Sequence, residues 1–290
     1  MNNHLTIAKD LIERYDFATM EDTNEICIYR EGVYVPRGRA FIQENAKREL
    51  GENFSTHKVN EIINWISFST FVKRASFDRD CSTINRLNGL INIDTLEFKE
   101  HTPRYLSLIQ LPVFYYQDAQ CPRIQQFFHE VLNPEDVPLV EEMFGYCLLR
   151  DYRLHKAFLL QGSGNNGKTT LLNLLQRFLG ARNCSNVSLG ELANDRFAPA
   201  QLFGKMANIF ADLPWQALRE TGIFKALVGQ DRITAQKKFE RAFEFTNYAK
   251  LLFSCNYVPI TYDLSPAFFS RWIIIGYLIP LKAVTQMQIF

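Results

Sequence analysis

Ala157-Phe158-Leu159-Leu160-Gln161-Gly162-Ser163-Gly164-Asn165-Asn166-Gly167-Lys168-Thr169-Thr170 leads directly into an apolar stretch from Leu171 to Leu179. The first five residues are a short, nearly continuous apolar run, the pattern of a strand buried on both faces of a parallel sheet. Gly162 to Thr169 fit G-x-x-x-x-G-K-[ST] in full. Glycines at that spacing let the backbone curl until successive N–H groups point at phosphate oxygens. A helix beginning near Lys168 adds the positive end of its dipole. In such a loop Lys168 reaches the β- and γ-phosphates, and Thr169 offers its hydroxyl to Mg2+. Gly162, Ser163, Gly164, Asn165, Asn166, Gly167, Lys168, Thr169 and Thr170 are therefore the expected ATP-binding residues. An accidental glycine-rich turn is the alternative, but the strand before and the helix after are the context that the motif requires.

Further along the chain, Ala207 to Ala211 and Lys250 to Ser254 are two more candidate core strands, with helical segments between them. Strands alternating with helices predict a parallel α/β sheet. A phosphate-loop ATPase needs a carboxylate at the end of a neighbouring strand, and Asp212 occupies that position. Its alternative role is to cap a following helix, since Leu213-Pro214 come next. Asn256, after the strand ending at Ser254, is placed to orient a hydrolytic water; Asn-Tyr-Val-Pro also suits a plain turn. Arg271 is a candidate arginine finger, with stacking on Trp272 as the alternative.

Between Asp212 and Asn256, Ile233 and Ala235 alternate with polar residues, as do Phe243 and Phe245. That pattern predicts a β-hairpin with Lys237, Lys238 and Arg241 near its tip. A basic tip of this kind can track phosphates without reading sequence, or it can be a solvated turn.

The first 150 residues have a different character. Spacing predicts an amphipathic helix within 1–20, then strands at 26–29 and 33–35 joined by a turn. Helices are expected over 40–50 and 56–68, a strand at 90–93, a loop-rich segment over 101–122, and helix again over 124–154.

The 290 residues are 47% hydrophobic and 22% charged, globular values that allow a sizeable core. Core packing accounts for most of the 24 Phe and 12 Tyr. The net charge of +1 argues against a protein that coats DNA over its whole surface. Contact with nucleic acid then falls to a few Lys or Arg on one loop or channel wall. The six Cys form no CxxC pair and no Cys/His cluster of zinc spacing, so buried reduced thiols are expected. The N-terminus has no apolar signal core, and Trp272 to Leu281 spans only about half a bilayer. A soluble protein of the host cytoplasm, with no membrane contact, is the expectation.

The order of these elements resembles the superfamily 3 helicases of phage, plasmid and poxvirus primase-helicases. The matching residues are Gly162 to Thr170, Leu202 to Ile209, Asp212-Leu213, Gly222 to Lys225, Val228 to Asp231, Lys237-Lys238, Leu252 to Asn256 and Phe268 to Trp272. Upstream, Val59-Asn60-Glu61-Ile62, Asn88-Gly89-Leu90 and His101-Thr102-Pro103 resemble the domain that precedes the motor. The resemblance implies an AAA+ phosphate-loop fold, a parallel sheet flanked by helices, preceded by a mostly helical α+β domain. The expected divisions are an N-terminal domain over 1–120, a helical connector over 121–154 and a motor core over 155–290. It further implies a homo-hexameric ring with ATP sites between subunits, movement along single-stranded DNA, and a primase as a partner. Lys168 and Thr169 would serve phosphate and Mg2+, Asp212 would be the second acid, Asn256 the sensor and Arg271 the finger. In this family the hairpin projects into the central channel.

Two departures stand out. Ala211 replaces the acid usually adjacent to Asp212, and the ending Leu281 to Phe290 does not look like the extension that follows the finger, so a truncated motor core is expected. The rival readings are a truncated or inactive ring subunit, a phosphate-loop kinase, and an AAA+ remodeller of proteins.

Overall fold

A computed structural model describes residues 3–164, 166–214, 220–240 and 242–277. The chain divides into two compact units, Met1–Gln110 and Leu111–Phe290.

The first unit runs α1 (Asn3–Arg14), β1 (Phe17–Met20), β2 (Ile26–Arg30), β3 (Val33–Val35), α2 (Gly38–Leu50), α3 (Thr56–Ser69) and β4 (Phe71–Val72). The helix expected within 1–20 ends at Arg14, and Phe17-Ala18-Thr19-Met20 form a strand instead. All four of those residues are buried. A one-faced helix cannot bury four consecutive side chains, whereas a strand with neighbours on both edges can. β1 pairs antiparallel with β2 and parallel with β4, in the order β3-β2-β1-β4. Ser55 caps α3 by accepting from the Lys58 N–H at 3.3 Å. The helices close over the sheet through Leu11, Ile42, Ala46, Ile62 and Ile66, each wholly buried. A meander of β5 (Thr83–Arg86), β6 (Gly89–Asn92) and β7 (Phe98–Lys99) completes the unit. Asn85 ties it to the β2–β3 turn by donating to the Gly32 carbonyl at 2.8 Å.

The second unit begins with α4 (Pro122–Val131) and α5 (Val137–Leu148). The helix expected over 124–154 is broken at Pro134, which starts a single 3-10 turn. Then come β8 (Ala157–Gln161), α6 (Lys168–Leu179), β9 (Cys184–Ser185), α7 (Leu189–Asn194), β10 (Ala207–Phe210), α8 (Gly222–Val228), β11 (Arg232–Ala235), β12 (Phe243–Thr246), β13 (Lys250–Cys255), α9 (Pro266–Phe269) and β14 (Trp272–Gly276). Five strands form one parallel sheet in the order β14-β8-β13-β10-β9. The expected parallel α/β sheet is thus present, with β8 inside it, flanked by β13 and β14. The apolar run from Trp272 supplies the edge strand β14. Because all five strands point the same way, the segments after β8, β10, β13 and β14 emerge at one edge, where open α/β sheets hold their ligands.

β13 is buried along its whole length, Lys250 included. The Lys250 ammonium donates to the Leu149 carbonyl at 2.6 Å and the Tyr248 carbonyl at 2.9 Å. It also lies 4.6 Å from the centre of the Tyr146 ring. Lys250→Ala removes these bonds, opens a cavity and leaves buried carbonyls short of a donor. The expected loss is about 3 kcal/mol, read as a lowered midpoint in urea unfolding.

None of the six Cys is joined in a disulfide. Cys27, Cys147, Cys184 and Cys255 are buried as expected, but Cys121 is exposed and Cys81 is half-buried. Among the described residues no helix is long and apolar enough to cross a membrane.

Candidate functional site

Gly162 to Gly167 connect β8 to α6 at the sheet edge just described. Gly167 has φ +93, a conformation that residues with side chains rarely adopt, and an added Cβ there would lie 3.0 Å from Val131. A Cβ on Gly162 would lie 2.5 Å from the Tyr277 carbonyl oxygen. A Cβ on Gly164 would meet nothing within 4 Å, so the loop is open on that side. Leu171, Leu172, Leu175 and Leu179 bury one face of α6 and hold its N-terminus beneath the loop. Thr169 and Thr170 are exposed on its first turn.

Lys168 is buried at the centre. Its ammonium donates to the Gly162 carbonyl at 2.5 Å, the Ser163 carbonyl at 3.2 Å and Asn166 Oδ1 at 2.9 Å. The Asn166 amide in turn donates to the Tyr277 carbonyl at 3.3 Å, just beyond β14. Burial lowers the Lys168 pKa, and the charges of Asp212 and Cys255 partly oppose that shift. The loop therefore wraps a desolvated cation that already has three oxygen acceptors. Phosphate oxygens could take over those roles.

Asp212 stands at the same edge, beyond β10. Its N–H donates to Ser254 Oγ at 3.2 Å, and the Leu213 N–H donates to the Ser254 carbonyl at 2.8 Å. These bonds carry the β10–β13 pairing one step further and bring an exposed carboxylate within electrostatic range of Lys168. Asp212 has φ +56, a left-handed conformation that Asp tolerates better than most residues. It does not cap α8, which starts at Gly222 after Thr221.

Asn256 follows β13 and is exposed. Gln161 donates to its carbonyl at 3.5 Å, and the Gly162 N–H donates to the Cys255 carbonyl at 3.2 Å. Asn256 thus adjoins the root of the phosphate loop. Asp263 anchors the segment after it. Lys225 donates to Asp263 at 2.8 Å, and the hydroxyls of Ser265 and Thr221 donate at 2.5 Å. The bond from Lys225, followed by those hydroxyls, holds the Asp263 carboxyl well below the usual carboxylate range.

Arg271 lies elsewhere. It precedes β14, and its carbonyl accepts from the N–H of Ala157, the first residue of β8, at 2.7 Å. The phosphate loop begins after Gln161, the last residue of that strand. Four strand steps separate the two ends by roughly 13 Å. The guanidinium turns back to the Ala267 carbonyl, and its Nε is buried without a hydrogen-bond partner. Trp272 lies flat on Phe224, with ring centres 4.5 Å apart. Lys168, Asp212 and Asn256 therefore gather at one edge of the sheet, and Arg271 sits at the other.

The expected hairpin forms from β11 and β12, with Ile233 opposite Phe245 and Ala235 opposite Phe243. Those four side chains are buried, and Phe203 packs edge-on against both Phe243 and Phe245. At the tip, Lys237 lies 3.9 Å from Glu240, and the Lys238 ammonium lies 5.9 Å from the centre of the Phe197 ring. Arg241 and Asn165 fall outside the described residues. Sequence reasoning overlooked Phe239, which is 105% exposed at this tip. The available signal was an aromatic residue next to two lysines in a turn.

Comparison with known proteins bears on the fold and on two stretches of the chain. Residues 6–133 match the family described as D5 N terminal like, and residues 160–267 match a family of unknown function, DUF5906. The D5-like match bears out the resemblance to the virus and phage primase-helicases. No curated protein matches the sequence. An A form apo structure of the NrS-1 C terminal region is similar, with a TM-score of 0.65 and 13% identity over 99% of this chain and 64% of that one. A second structure of that region gives 0.66 and 13% over 97% and 64%. The likeness is one of fold, and the present chain spans about 64% of the length of those it matches.

Proposed function

We propose that the chain is the ATP-hydrolysing motor of a DNA helicase in virus or plasmid replication, assembled so that one copy completes the phosphate site of the next. The observation that carries this reading is the split arrangement. Lys168, Asp212 and Asn256 share an edge with the phosphate loop, and Arg271 lies at the opposite end of β8. A guanidinium there is too far to meet phosphates bound at its own loop. In an assembly of copies it would instead serve the phosphates bound by a neighbour. A ring of six copies, as the resemblance implies, would put every arginine to this use, and a primase would be its partner.

In this reading the open loop and the N-terminus of α6 receive the triphosphate of ATP. Lys168 exchanges its carbonyl contacts for the β- and γ-phosphates. Thr169 and Asp212 are the residues that would hold Mg2+. One hydroxyl and one exposed carboxylate fit that ion, which prefers few protein oxygens and completes its shell with water and phosphate. No group of three or more His, Cys, Asp or Glu suited to a metal occurs among the described residues. Bound there, the ion would neutralise charge on the transferring phosphoryl group. Asp212 and Asn256 orient the attacking water, and Arg271 of a neighbour stabilises the transition state.

Ala211 beside Asp212 favours a second reading, a ring subunit that binds nucleotide without turning it over. The two readings part on whether ATP is consumed.

The hairpin supplies the contact with single-stranded DNA. Lys237→Glu combined with Lys238→Glu is expected to weaken that binding by at least about tenfold at moderate salt and to flatten its salt dependence. Fluorescence anisotropy across a salt series measures both. Unchanged affinity and slope, with an unchanged melting temperature, would remove the hairpin from the DNA path.

A further inference from the structure

The tip of the hairpin presents an unusual side chain. Glu240 closes the turn by donating its N–H to the Lys237 carbonyl at 3.1 Å, and Gln236 donates to the Glu240 carbonyl at 3.0 Å. Within this turn Phe239 has φ +66, in the left-handed region that a bulky residue rarely enters. Its ring is fully exposed, so the turn aims it away from the protein rather than into it. Its sequence neighbours are held nearby: Lys237 beside Glu240, and Lys238 toward Phe197. The hairpin tip thus carries a fully exposed apolar ring, with Lys238 next to it in the chain and Lys237 in the same turn. The base of the hairpin is anchored through Phe203, which gives the ring a firm mount.

Phosphate has no use for such a surface. A nucleobase does, since every base has a π-face and aromatic stacking needs no particular sequence. We infer that Phe239 stacks on a base of single-stranded DNA passing the hairpin tip, adding a grip on the bases to the grip of the lysines on the phosphates. This rests on the reading of the hairpin as the DNA contact. It predicts that the hairpin distinguishes a strand with bases from one without.

The test uses the full chain and two oligonucleotides of equal length and charge, oligo(dT) and its abasic counterpart. Phe239→Ala is expected to weaken oligo(dT) binding by about 5- to 150-fold, the range for losing one stacked base. Binding of the abasic strand should stay within about twofold. Phe239→Trp should restore oligo(dT) affinity and show quenched indole emission on binding, measured against the unsubstituted chain. Equal weakening on both strands would overturn the inference, because Phe239 would then be supporting the turn and not touching bases. If the double lysine reversal weakens binding and Phe239→Ala does not, stacking fails while the DNA reading of the hairpin stands. If neither change affects either strand, both fail.

Discussion

Arg271→Ala is expected to lower ATP turnover by on the order of 10³-fold or more, the range for losing an arginine that stabilises phosphoryl transfer from a neighbouring subunit. Nucleotide binding should change far less, because the phosphate loop of the same copy is untouched. The informative experiment mixes variants. Arg271→Ala copies keep a complete phosphate loop, and Lys168→Ala copies keep Arg271. A mixed assembly contains interfaces that pair the two intact halves, so an equimolar mixture should regain a substantial fraction of activity that neither variant has alone. Recovery of this kind cannot occur if Arg271 serves its own site. The geometry already disfavours that, since Arg271 joins the start of β8 and the loop leaves its end. Failure to recover, with both variants folded and assembling, would return Arg271 to a structural role on the Ala267 carbonyl.

Lys168→Ala should abolish measurable hydrolysis, a loss on the order of at least 10²–10³-fold from removing one preorganised positive charge at the transferring group. It should also weaken ATP binding, because Lys168 organises the loop itself. Its ammonium draws together the Gly162 and Ser163 carbonyls and the Asn166 side chain. Lys168→Met keeps much of the side-chain bulk and lacks the charge. It should lose hydrolysis to the same extent, which separates the charge from the packing. Steady-state phosphate release measures the effect, and full retention of turnover in either variant would contradict the assignment.

Much of the second unit was legible because its signals are local. The phosphate loop is a spacing of glycines, one lysine and one threonine, and the context on either side follows from hydrophobic runs. The hairpin announced itself by alternation, and its register buries the four residues that alternate. What was not legible depends on partners distant in sequence. Phe17 to Met20 continue a helical spacing, and only their pairing with β2 and β4 makes them a strand. Trp272 to Gly276 become an edge strand because β8 accepts them. Asp212 and Asn256 could be ranked from their positions after strands, but their common edge follows from the order of the sheet, which no local pattern states. The location of Arg271 at the far edge was equally hidden. Phe239 was passed over for another reason: an aromatic residue is normally core, and only the left-handed turn turns this one outward.

In the proposed motor, ATP is gripped by the loop before Lys168 and consumed with help from a second copy. Single-turnover hydrolysis by the purified chain, followed across protein concentrations with and without single-stranded DNA, tests it most directly. The rate per chain should climb with concentration as copies meet, and climb further when DNA is added. A rate per chain that is independent of both, or ATP bound and never cleaved at any concentration, would contradict it.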